Sequence, residues 1–304
     1  MGYTVSIVIP NWNGIHLLQK YLKDVVSSSV GAEIIVSDDA STDGSVAYLR
    51  KSFPDVKVIT SSVRGGFAKN VNNGVMHAGG EIIILLNTDV KPEKGFLQPL
   101  LTHFSDPDVF AVGCLEKSNE NGKILPRGRG LACWRKGYYI HSRGDIDRSD
   151  TAWVAGGSGA FRKSMWDKLG GMDTLYNPFY WEDIDISYRA RKAGWKTLFE
   201  SKSIVHHYHE EGKIKREYSP SDIKRIVYRN QFIFIWKNLT DPRVLCSHAF
   251  WTPIRLIQSL LAGDSLMLQG YGLALQKLPS ILSHRLLQSK IYKRTDIELD
   301  ISEL

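Results

Sequence analysis

Apolar and polar positions alternate in blocks along the first hundred residues. Short, largely apolar runs are typical of buried strands, whereas the segments between them repeat apolar residues every three or four positions, as helices do. Strand-like and helix-like segments follow one another at residues 6–10, 17–26, 34–37, 45–51, 56–60, 67–77 and 82–86. This order predicts the α/β class, with a mostly parallel sheet flanked by helices.

Polar residues stand directly after each predicted strand. The four segments are residues 10–13, 38–43, 64–66 and 87–89. Since ligands of open parallel sheets bind beyond the carboxyl ends of the strands, these segments are expected to meet at one crevice. Together they predict a nucleotide-like ligand.

The regular pattern ends after residue 89. Residues 116–150 are predicted to be irregular, and their middle, residues 125–145, is glycine-rich, basic and too long for a simple connection. We therefore expect a binding flap there. Helical spacing returns at residue 219 and continues to about residue 293.

Composition and charge narrow the class of protein. Of the 304 residues, 43% are hydrophobic and 23% charged, which excludes a disordered tail, a collagen-like repeat and a small disulfide scaffold. The 39 basic and 32 acidic side chains give a net charge of +7, which favours an anionic partner, but no block of Lys and Arg is dense enough to predict nucleic acid. The three cysteines are widely spaced and are expected to be reduced.

No segment predicts an export signal or a membrane span. The first ten residues lack a basic region, and the apolar run at residues 244–262 is interrupted by His248, Pro253 and Arg255. The expected location is the cytoplasm, with a peripheral position on the inner face of the cell membrane as the alternative.

Two strand ends carry candidate carboxylates. Asp39 belongs to an adjacent pair of acids, and helix capping alone does not explain two, because one acceptor is enough. A calcium loop is excluded there, since Arg50 stands where such a loop needs Glu. Asp89 either binds a divalent cation or caps a helix that starts near Glu93, and the local sequence favours neither.

A third candidate lies in an aromatic stretch. Residues 179–181 are aromatic and run into Glu182 and Asp183 at the start of a predicted helix. Aromatic faces beside a carboxylate suit a sugar, whose C–H face stacks while a hydroxyl meets the base. Asp185 is expected to pair with Arg189 four residues later, which leaves Asp183 for chemistry. The alternative is that these acids only stabilise the helix N-terminus through its dipole.

Two further segments leave alternatives open. The small-residue turn at residues 153–161 is not a nucleophile elbow, because Ala160 stands where that motif requires Gly. It is not a dinucleotide-binding loop either, because Arg162 stands where that motif requires Gly. It is either a close approach of backbone to a ligand or a tight bend. The histidines at residues 206–209 lack the partners of a zinc site and supply either one metal ligand or exposed imidazoles.

Nine segments, in order, resemble glycosyltransferase family 2, the inverting GT-A enzymes, and especially its bacterial rhamnosyltransferase-like members. They are SIVIPNWNG, IIVSDDASTDGS, GGFAKNVNNG, LLNTDV, GGSGAFRK, LGGMD, FYWEDIDISYRARKAGW, IVHH and YRNQFIFIWKN. The resemblance implies a Rossmann-like GT-A domain over residues 1–218, with a nucleotide-binding half to about residue 115 and an acceptor half over about 116–218. A C-terminal helical extension would cover residues 219–304.

The matched positions imply roles for individual residues. Asp183 matches the general base, with Glu182 beside it, while Asp89 matches the last acid of the motif that holds Mg²⁺ or Mn²⁺, and His206 a later histidine near the metal. The implied nucleotide-binding residues are Pro10, Trp12, Asn13, Asp39, Gly66, Asn72, Asn87 and Thr88. The implied acceptor residues are Trp153, Gly157, Tyr180 and Trp181.

Two positions depart from the family's pattern. The first acid of the metal motif is Asn87 here, so that the motif keeps one carboxylate. Arg64 stands where the family usually has Asn before the glycine of the next motif, which changes the expected contact to the ribose.

The resemblance implies inverting transfer of a sugar from a UDP- or dTDP-linked donor to a saccharide or lipid-linked acceptor in cell-surface polysaccharide synthesis. A sugar nucleotidyltransferase should instead carry a basic, glycine-rich triphosphate loop at residues 10–14, which are PNWNG. A non-catalytic carbohydrate-binding protein would have no use for Asp39, Asp89 and Asp183 together.

The C-terminal helices alternate apolar runs with basic residues. These are Arg243, Arg255, Lys277, Arg285 and Lys290. The helices either pack on the catalytic domain or on a second copy in a homo-oligomer, or attach the protein to a membrane that carries a lipid-diphosphate acceptor.

Overall fold

The computed structural model describes residues 2–120, 122–209, 211–212 and 214–302. The strands are β1 (Val5–Asn11), β2 (Glu33–Asp38), β3 (Lys57–Thr60), β4 (Ile82–Leu86), β5 (Val90–Pro92), β6 (Val109–Glu120), β7 (Lys123–Arg127), β8 (Gly130–Arg135), β9 (Tyr138–Arg143), β10 (Ser158–Arg162) and β11 (Lys196–His207). The helices are α1 (Ile15–Ser28), α2 (Ser45–Ser52), α3 (Phe67–Met76), α4 (Leu97–Thr102), α5 (Lys163–Leu169), α6 (Glu182–Lys192), α7 (Ile214–Glu217), α8 (Pro220–Asn238), α9 (Pro242–Leu261), α10 (Leu266–Gln276) and α11 (Leu278–Gln288).

Nine of the described strands form one sheet, in the order β3-β2-β1-β4-β10-β6-β11-β5, with β7 paired to β6. The first four strands in that order are parallel. Strand β10 then runs antiparallel to both of its neighbours, and β11 runs parallel to β6. The predicted α/β class with a helix-flanked sheet is confirmed, and the sheet is mixed.

Helices cover both faces of this sheet because its central strands are apolar on both sides. Along β1, Ile7 faces the core that α1, α2 and α4 complete, and Val8 faces the core that α3, α5 and α6 complete. This alternation follows from the two-residue period of a strand. The sheet is therefore packed on both faces. Because β1, β2 and β4 are parallel neighbours, their carboxyl ends lie together at one edge of the sheet.

The prediction of an irregular segment at residues 116–150 is wrong, whereas the binding role expected of residues 125–145 stays a prediction. Strands β6 to β9 occupy most of it, and β8 and β9 form a separate hairpin. Its two-residue turn has Lys136 and Gly137 at φ 52° and 70°, the left-handed pair that suits such turns. Tyr138 and Tyr139 are fully buried, which fixes the hairpin on the body of the protein.

The C-terminal helices share a core with this hairpin. Tyr139 of β9 packs with Tyr188 of α6 and Phe234 of α8, with ring centroids about 5 Å apart. Ile281 of α11 and Ala274 of α10 belong to the same cluster. No helix within the described ranges is long and apolar enough to cross a membrane.

A buried network of charges links α8 to α6. The Lys237 ammonium lies 2.7 Å from carboxylate oxygens of both Asp173 and Asp185, and Arg189 lies 2.7 Å from the other oxygen of Asp185. The predicted pairing of Asp185 with Arg189 is therefore confirmed. Burial alone would raise the pKa of each aspartate, but the charge of Lys237 and the other cations and hydrogen-bond donors nearby together outweigh burial and lower both values.

We expect Lys237→Met to lower the free energy of unfolding by about 3–5 kcal/mol, because it removes a cation that two buried carboxylates share. Urea unfolding followed by circular dichroism at pH 7 measures the change. The stabilisation should be present above the ordinary aspartate pKa and disappear as the pH falls through the lowered values, since both carboxylates then become neutral.

The matched control is Lys196→Met. Lys196 pairs with Asp106 at the same 2.7 Å, but both side chains are exposed. The unfolding midpoint of this variant should stay close to that of the wild type. Equal losses of stability in the two variants would show that the buried network stabilises the fold no more than an exposed ion pair does.

Candidate functional site

A cavity of about 540 Å³ opens where β1, β2 and β4 end. The three candidate aspartates, Asp39, Asp89 and Asp183, all lie in its wall. The residues of the wall that the sequence singles out are Pro10, Trp12, Asp39, Gly66, Asn87, Thr88, Asp89, Gly157, Tyr180, Glu182 and Asp183. Four strand ends and the start of α6 thus contribute to one site.

The other candidates do not line this cavity. They are Asn13, Asn72, Trp153, Trp181 and His206. Asn72 exchanges two hydrogen bonds with the backbone of Met172, at 2.7 and 2.9 Å, and so ties α3 to a neighbouring loop. Asn70, two residues earlier on α3, lines the cavity instead. Trp181 is 4% exposed and packs on Phe234.

Asp39 organises the loop that follows β3. Its two carboxylate oxygens accept hydrogen bonds from the backbone amides of Gly65 and Gly66, at 2.7 and 2.9 Å. Each oxygen retains a free lone pair, since a carboxylate offers about four acceptor sites. The same loop places the Arg64 guanidinium 3.4 Å from the centre of the Trp12 ring. The planar Arg64 cation therefore stacks on the Trp12 ring at this end of the cavity.

The histidine that meets Asp89 is His207. Its Nε2 lies 3.3 Å from Asp89 Oδ1, whereas His206 Nε2 lies 3.0 Å from Glu93, outside the cavity. Side chains alternate between the two faces of β11, so consecutive histidines cannot both face the cavity. Val205 is fully buried, and the two-residue period from it identifies His207 as the inward residue.

Glu116, on β6, completes a cluster that the sequence does not suggest. Its Oε2 lies 3.4 Å from His207 Nδ1 and 4.0 Å from His209 Nε2. The ligand atoms of these three residues lie within 4.8 Å of one another, a spacing that one metal ion can bridge. Glu116 falls in the segment predicted to be irregular, where no periodicity marks it as buried.

Charges in this cluster reinforce one another. Burial raises the pKa of Glu116, but His207, the Ser158 hydroxyl and the charge of His209 together outweigh burial and lower the value to about 2. For His207 burial lowers the pKa, and the nearby carboxylates of Glu116 and Asp89 raise it to about 10. Without a metal ion the cluster therefore holds a proton on His207 at neutral pH.

Glu182 and Asp183 begin α6 and have different environments. Asp183 Oδ1 accepts a hydrogen bond from the amide of Ile184 at 2.8 Å, and Oδ2 accepts one from Gly156 at 3.3 Å. Burial raises the pKa of Asp183, while these amides favour its ionised form. Burial and the charge of Asp183 raise the pKa of Glu182 to about 8. The two backbone amides that donate to the Asp183 carboxylate stabilise its ionised form, which can accept a proton.

The turn before α6 is strained. Tyr180 and Trp181 have φ values of 70° and 79°, which cost large side chains about 1–3 kcal/mol each. The Asn230 amide of α8 donates to the carbonyls of Tyr176, Phe179 and Tyr180, at 2.9, 3.0 and 2.8 Å. A C-terminal helix therefore holds the turn that presents Tyr180 and Asp183 to the cavity.

Comparison with known sequences gives one family and several relatives. Residues 6–170 match the family described as Glycosyl transferase family 2. The N-acetylglucosaminyl-diphospho-decaprenol L-rhamnosyltransferase of Mycobacterium tuberculosis is 23% identical over 62% of this chain and 71% of its own length. The pre-mycofactocin glycosyltransferase of the same organism is 28% identical over 67% of this chain and 43% of its own length.

Solved structures of glycosyltransferases share the fold. GalNAc-T7 with UDP, GalNAc and Mn²⁺ aligns with a TM-score of 0.63 at 20% identity, over 77% of this chain and 48% of that one. S. aureus TarS 1–349 in complex with UDP-GlcNAc aligns with a TM-score of 0.61 at 15% identity, over 95% of this chain and 87% of that one. These likenesses confirm the fold that the sequence resemblance implies.

We expect Asn230→Ala to loosen the strained turn, because three buried carbonyls lose their shared donor. Hydrogen–deuterium exchange should become faster in peptides that cover residues 176–185. The control is Gln231→Ala, the next residue of α8, whose amide contacts Tyr139 and not the turn. Unchanged exchange at residues 176–185 in the Asn230 variant would contradict this account of the turn.

Proposed function

Because the chain belongs to glycosyl transferase family 2, we propose that it transfers a sugar from a nucleoside diphosphate donor to a hydroxyl of a saccharide or lipid-linked saccharide, with inversion at the anomeric carbon. The observation that carries this proposal is the presence of Asp39, Asp89 and Asp183 in the wall of one cavity. The relatives support it, because the first is named for rhamnosyl transfer and the solved neighbours for complexes with UDP or UDP-GlcNAc.

The donor would lie along the ends of β1, β2 and β4. Trp12 and Asp39 offer a flat face and a hydrogen-bond acceptor to the base, and the imide edge that uracil and thymine share suits that acceptor. We therefore propose a UDP- or dTDP-linked donor, with its diphosphate toward Asn87, Thr88 and Asp89.

Asp89 and His207 are the residues that would hold a divalent cation beside the diphosphate. Carboxylate oxygens and imidazole nitrogens suit Mn²⁺, and carboxylates suit Mg²⁺. His207 is buried, and its Nε2 lies 3.3 Å from Asp89 Oδ1, so that one cation would take a ligand atom from each of these two residues. When bound, such a cation offsets the negative charge of the leaving diphosphate.

Asp183 would act on the opposite side of the sugar. One of its carboxylate oxygens takes the proton of the acceptor hydroxyl while the acceptor oxygen attacks the anomeric carbon, and the electron pair of the broken bond leaves with the diphosphate. Attack from the face opposite the leaving group inverts the anomeric centre. Glu182, whose pKa is raised to about 8, stays mostly protonated at neutral pH and does not repel the charge on Asp183.

The surface of α9, α10 and α11 supports a lipid-linked acceptor. Ten large apolar side chains are exposed on these helices: Leu245, Phe250, Ile257, Leu260, Leu261, Leu268, Leu275, Leu282, Leu286 and Leu287. Over residues 242–288 Asp264 is the one acid, against Arg243, Arg255, Lys277 and Arg285. An apolar surface with a basic excess is complementary to an anionic bilayer, and we propose that it contacts one.

We expect Asp183→Asn to lower kcat by about 10²–10⁴ while donor binding persists, since the base acts on the acceptor and not on the donor. Transfer from UDP- and dTDP-sugars is measured with Mn²⁺ present, and donor binding by calorimetry. Lost donor binding with chemistry intact would contradict the role of Asp183. Release of pyrophosphate from a nucleoside triphosphate would instead indicate a nucleotidyltransferase.

The pH dependence of kcat gives an independent check on the same base. Asp183 works only when ionised, and burial raises its pKa, so kcat should fall on acidification from a pH above the usual aspartate range. A pH-independent kcat down to the ordinary aspartate pKa would contradict this assignment.

We expect the full chain to float with vesicles that contain phosphatidylglycerol at low salt, and less so at high salt, because screening weakens the electrostatic part. Replacing Leu286 and Leu287 with Glu should abolish flotation. Ile124→Glu is the control, since Ile124 is 60% exposed but lies on β7. Flotation that is equal with neutral vesicles, or unaffected by the double substitution, would exclude this surface.

A further inference from the structure

A stacked arginine covers one face of the Trp12 ring. The Arg64 guanidinium carbon lies 3.4 Å from the centre of that ring, and both residues line the cavity. Carbon atoms in van der Waals contact are about 3.5–4.0 Å apart, so the two groups touch and leave no space between them. A flat ligand can therefore stack on this face of Trp12 only after the guanidinium has moved away.

The loop that carries Arg64 is fixed through its backbone. The Asp39 carboxylate accepts a hydrogen bond from the amide of Gly65 at 2.7 Å, and the Asn177 side chain donates to the carbonyl of Gly65 at 2.6 Å. The Arg64 side chain itself is exposed, and exposed side chains change rotamer within nanoseconds. The guanidinium can thus move while the backbone beside it stays in place.

Asp39 directs the edge of a base toward Arg64. Gly65, whose amide the Asp39 carboxylate binds, is the residue directly after Arg64. A base whose edge donates to the same carboxylate therefore lies beside the stacked Arg64 and Trp12. One inserted ring requires the guanidinium to withdraw by about 3.5 Å, which rotation about the bonds of a long side chain allows.

The order of the sheet separates Arg64 from the proposed diphosphate site. Arg64 follows β3, whereas residues 87–89 follow β4. Strands β2 and β1 lie between these two strands, so the ends of β3 and β4 are about 14 Å apart at the usual spacing of strands. Arg64 therefore stands at the base end of the donor and not at its phosphates.

We propose that Arg64 is a base-binding residue of the donor site: the pyrimidine enters between the Trp12 ring and the Arg64 guanidinium, while its edge donates to Asp39. Arginine presents a planar cation that stacks on aromatic faces, and the Trp12 ring supplies the stacking contact on the other side of the base. The inference rests on the proposed function, since it takes the donor to be UDP- or dTDP-linked. Binding of a nucleoside is nevertheless measurable without sugar transfer.

The experiment compares binding of UDP, dTDP and the matching nucleosides, uridine and thymidine, to the full chain. Calorimetry measures the nucleotides with Mn²⁺ present, and ligand-observed NMR measures the weaker nucleosides. We expect Arg64→Ala to weaken binding of a nucleoside and of its diphosphate by the same factor, about 5- to 10-fold, because the lost contact is with the base. Arg64→Lys should also weaken both, since an ammonium has no flat face.

The matched control is Arg255→Ala. The Arg255 guanidinium lies 4.0 Å from the centre of the Tyr138 ring, but neither residue lines the cavity. This variant should bind uridine and UDP as the wild type does. Because the Arg64 side chain is exposed, the thermal unfolding of Arg64→Ala should match that of the wild type, which separates lost binding from lost fold.

Unchanged or tighter nucleoside binding in Arg64→Ala would overturn the inference, because the guanidinium would then only block the Trp12 face. A loss confined to the diphosphates would also overturn it, by placing Arg64 at the phosphates. Wild-type affinity in Arg64→Ala removes the role of Arg64 and leaves the proposed function in place. If the wild type binds neither nucleosides nor their diphosphates, the proposed function fails together with the inference.

Discussion

The Lys237 ammonium, buried between the carboxylates of Asp173 and Asp185, is the contact on which the arrangement of the cavity depends. It joins α8 to Asp185 in the first turn of α6, and the same turn carries Asp183. Burying such a cation costs free energy, and the two short ion pairs offset that cost. Removing the cation therefore also destabilises the two buried carboxylates.

The same helix controls the local geometry of the turn. Two turns before Lys237 on α8, Asn230 donates to the carbonyls of Phe179 and Tyr180, at the start of the strained turn. The strain is tolerable because the surrounding contacts determine the backbone, a pattern typical of functional sites. The same helix, α8, therefore positions both Asp183 and the Tyr180 ring.

Local signals in the sequence were sufficient for the sheet and for the candidate residues at the strand ends. The runs at residues 6–10, 34–37 and 82–86 are apolar except for Ser6 and Ser37, and positions after them line the cavity. The pairing of Asp185 with Arg189 followed from helical spacing alone. These features depend on neighbours within about one turn or one strand.

The features that sequence reasoning missed depend on distant partners. Strands β7 to β9 are short and rich in polar residues, and the burial of Ala132, Tyr138 and Tyr139 in β8 and β9 comes from helices about 100 residues later in the chain. Glu116 gains its role from His207, and the choice between His206 and His207 depends on the register of β11 against β6. A residue-by-residue family match does not resolve that register, because a shift by one residue exchanges the two faces of a strand.

The shared aromatic core has a consequence for modular engineering. Because Tyr139 of the hairpin, Tyr188 of α6 and Phe234 of α8 contact one another, the C-terminal helices are not an appendage that can be exchanged at a loop. A chimaera that takes its last helices from a relative must also take the matching hairpin, or it will combine two incompatible sets of rings. The hairpin, α6 and the C-terminal helices therefore have to be exchanged together, as one indivisible block.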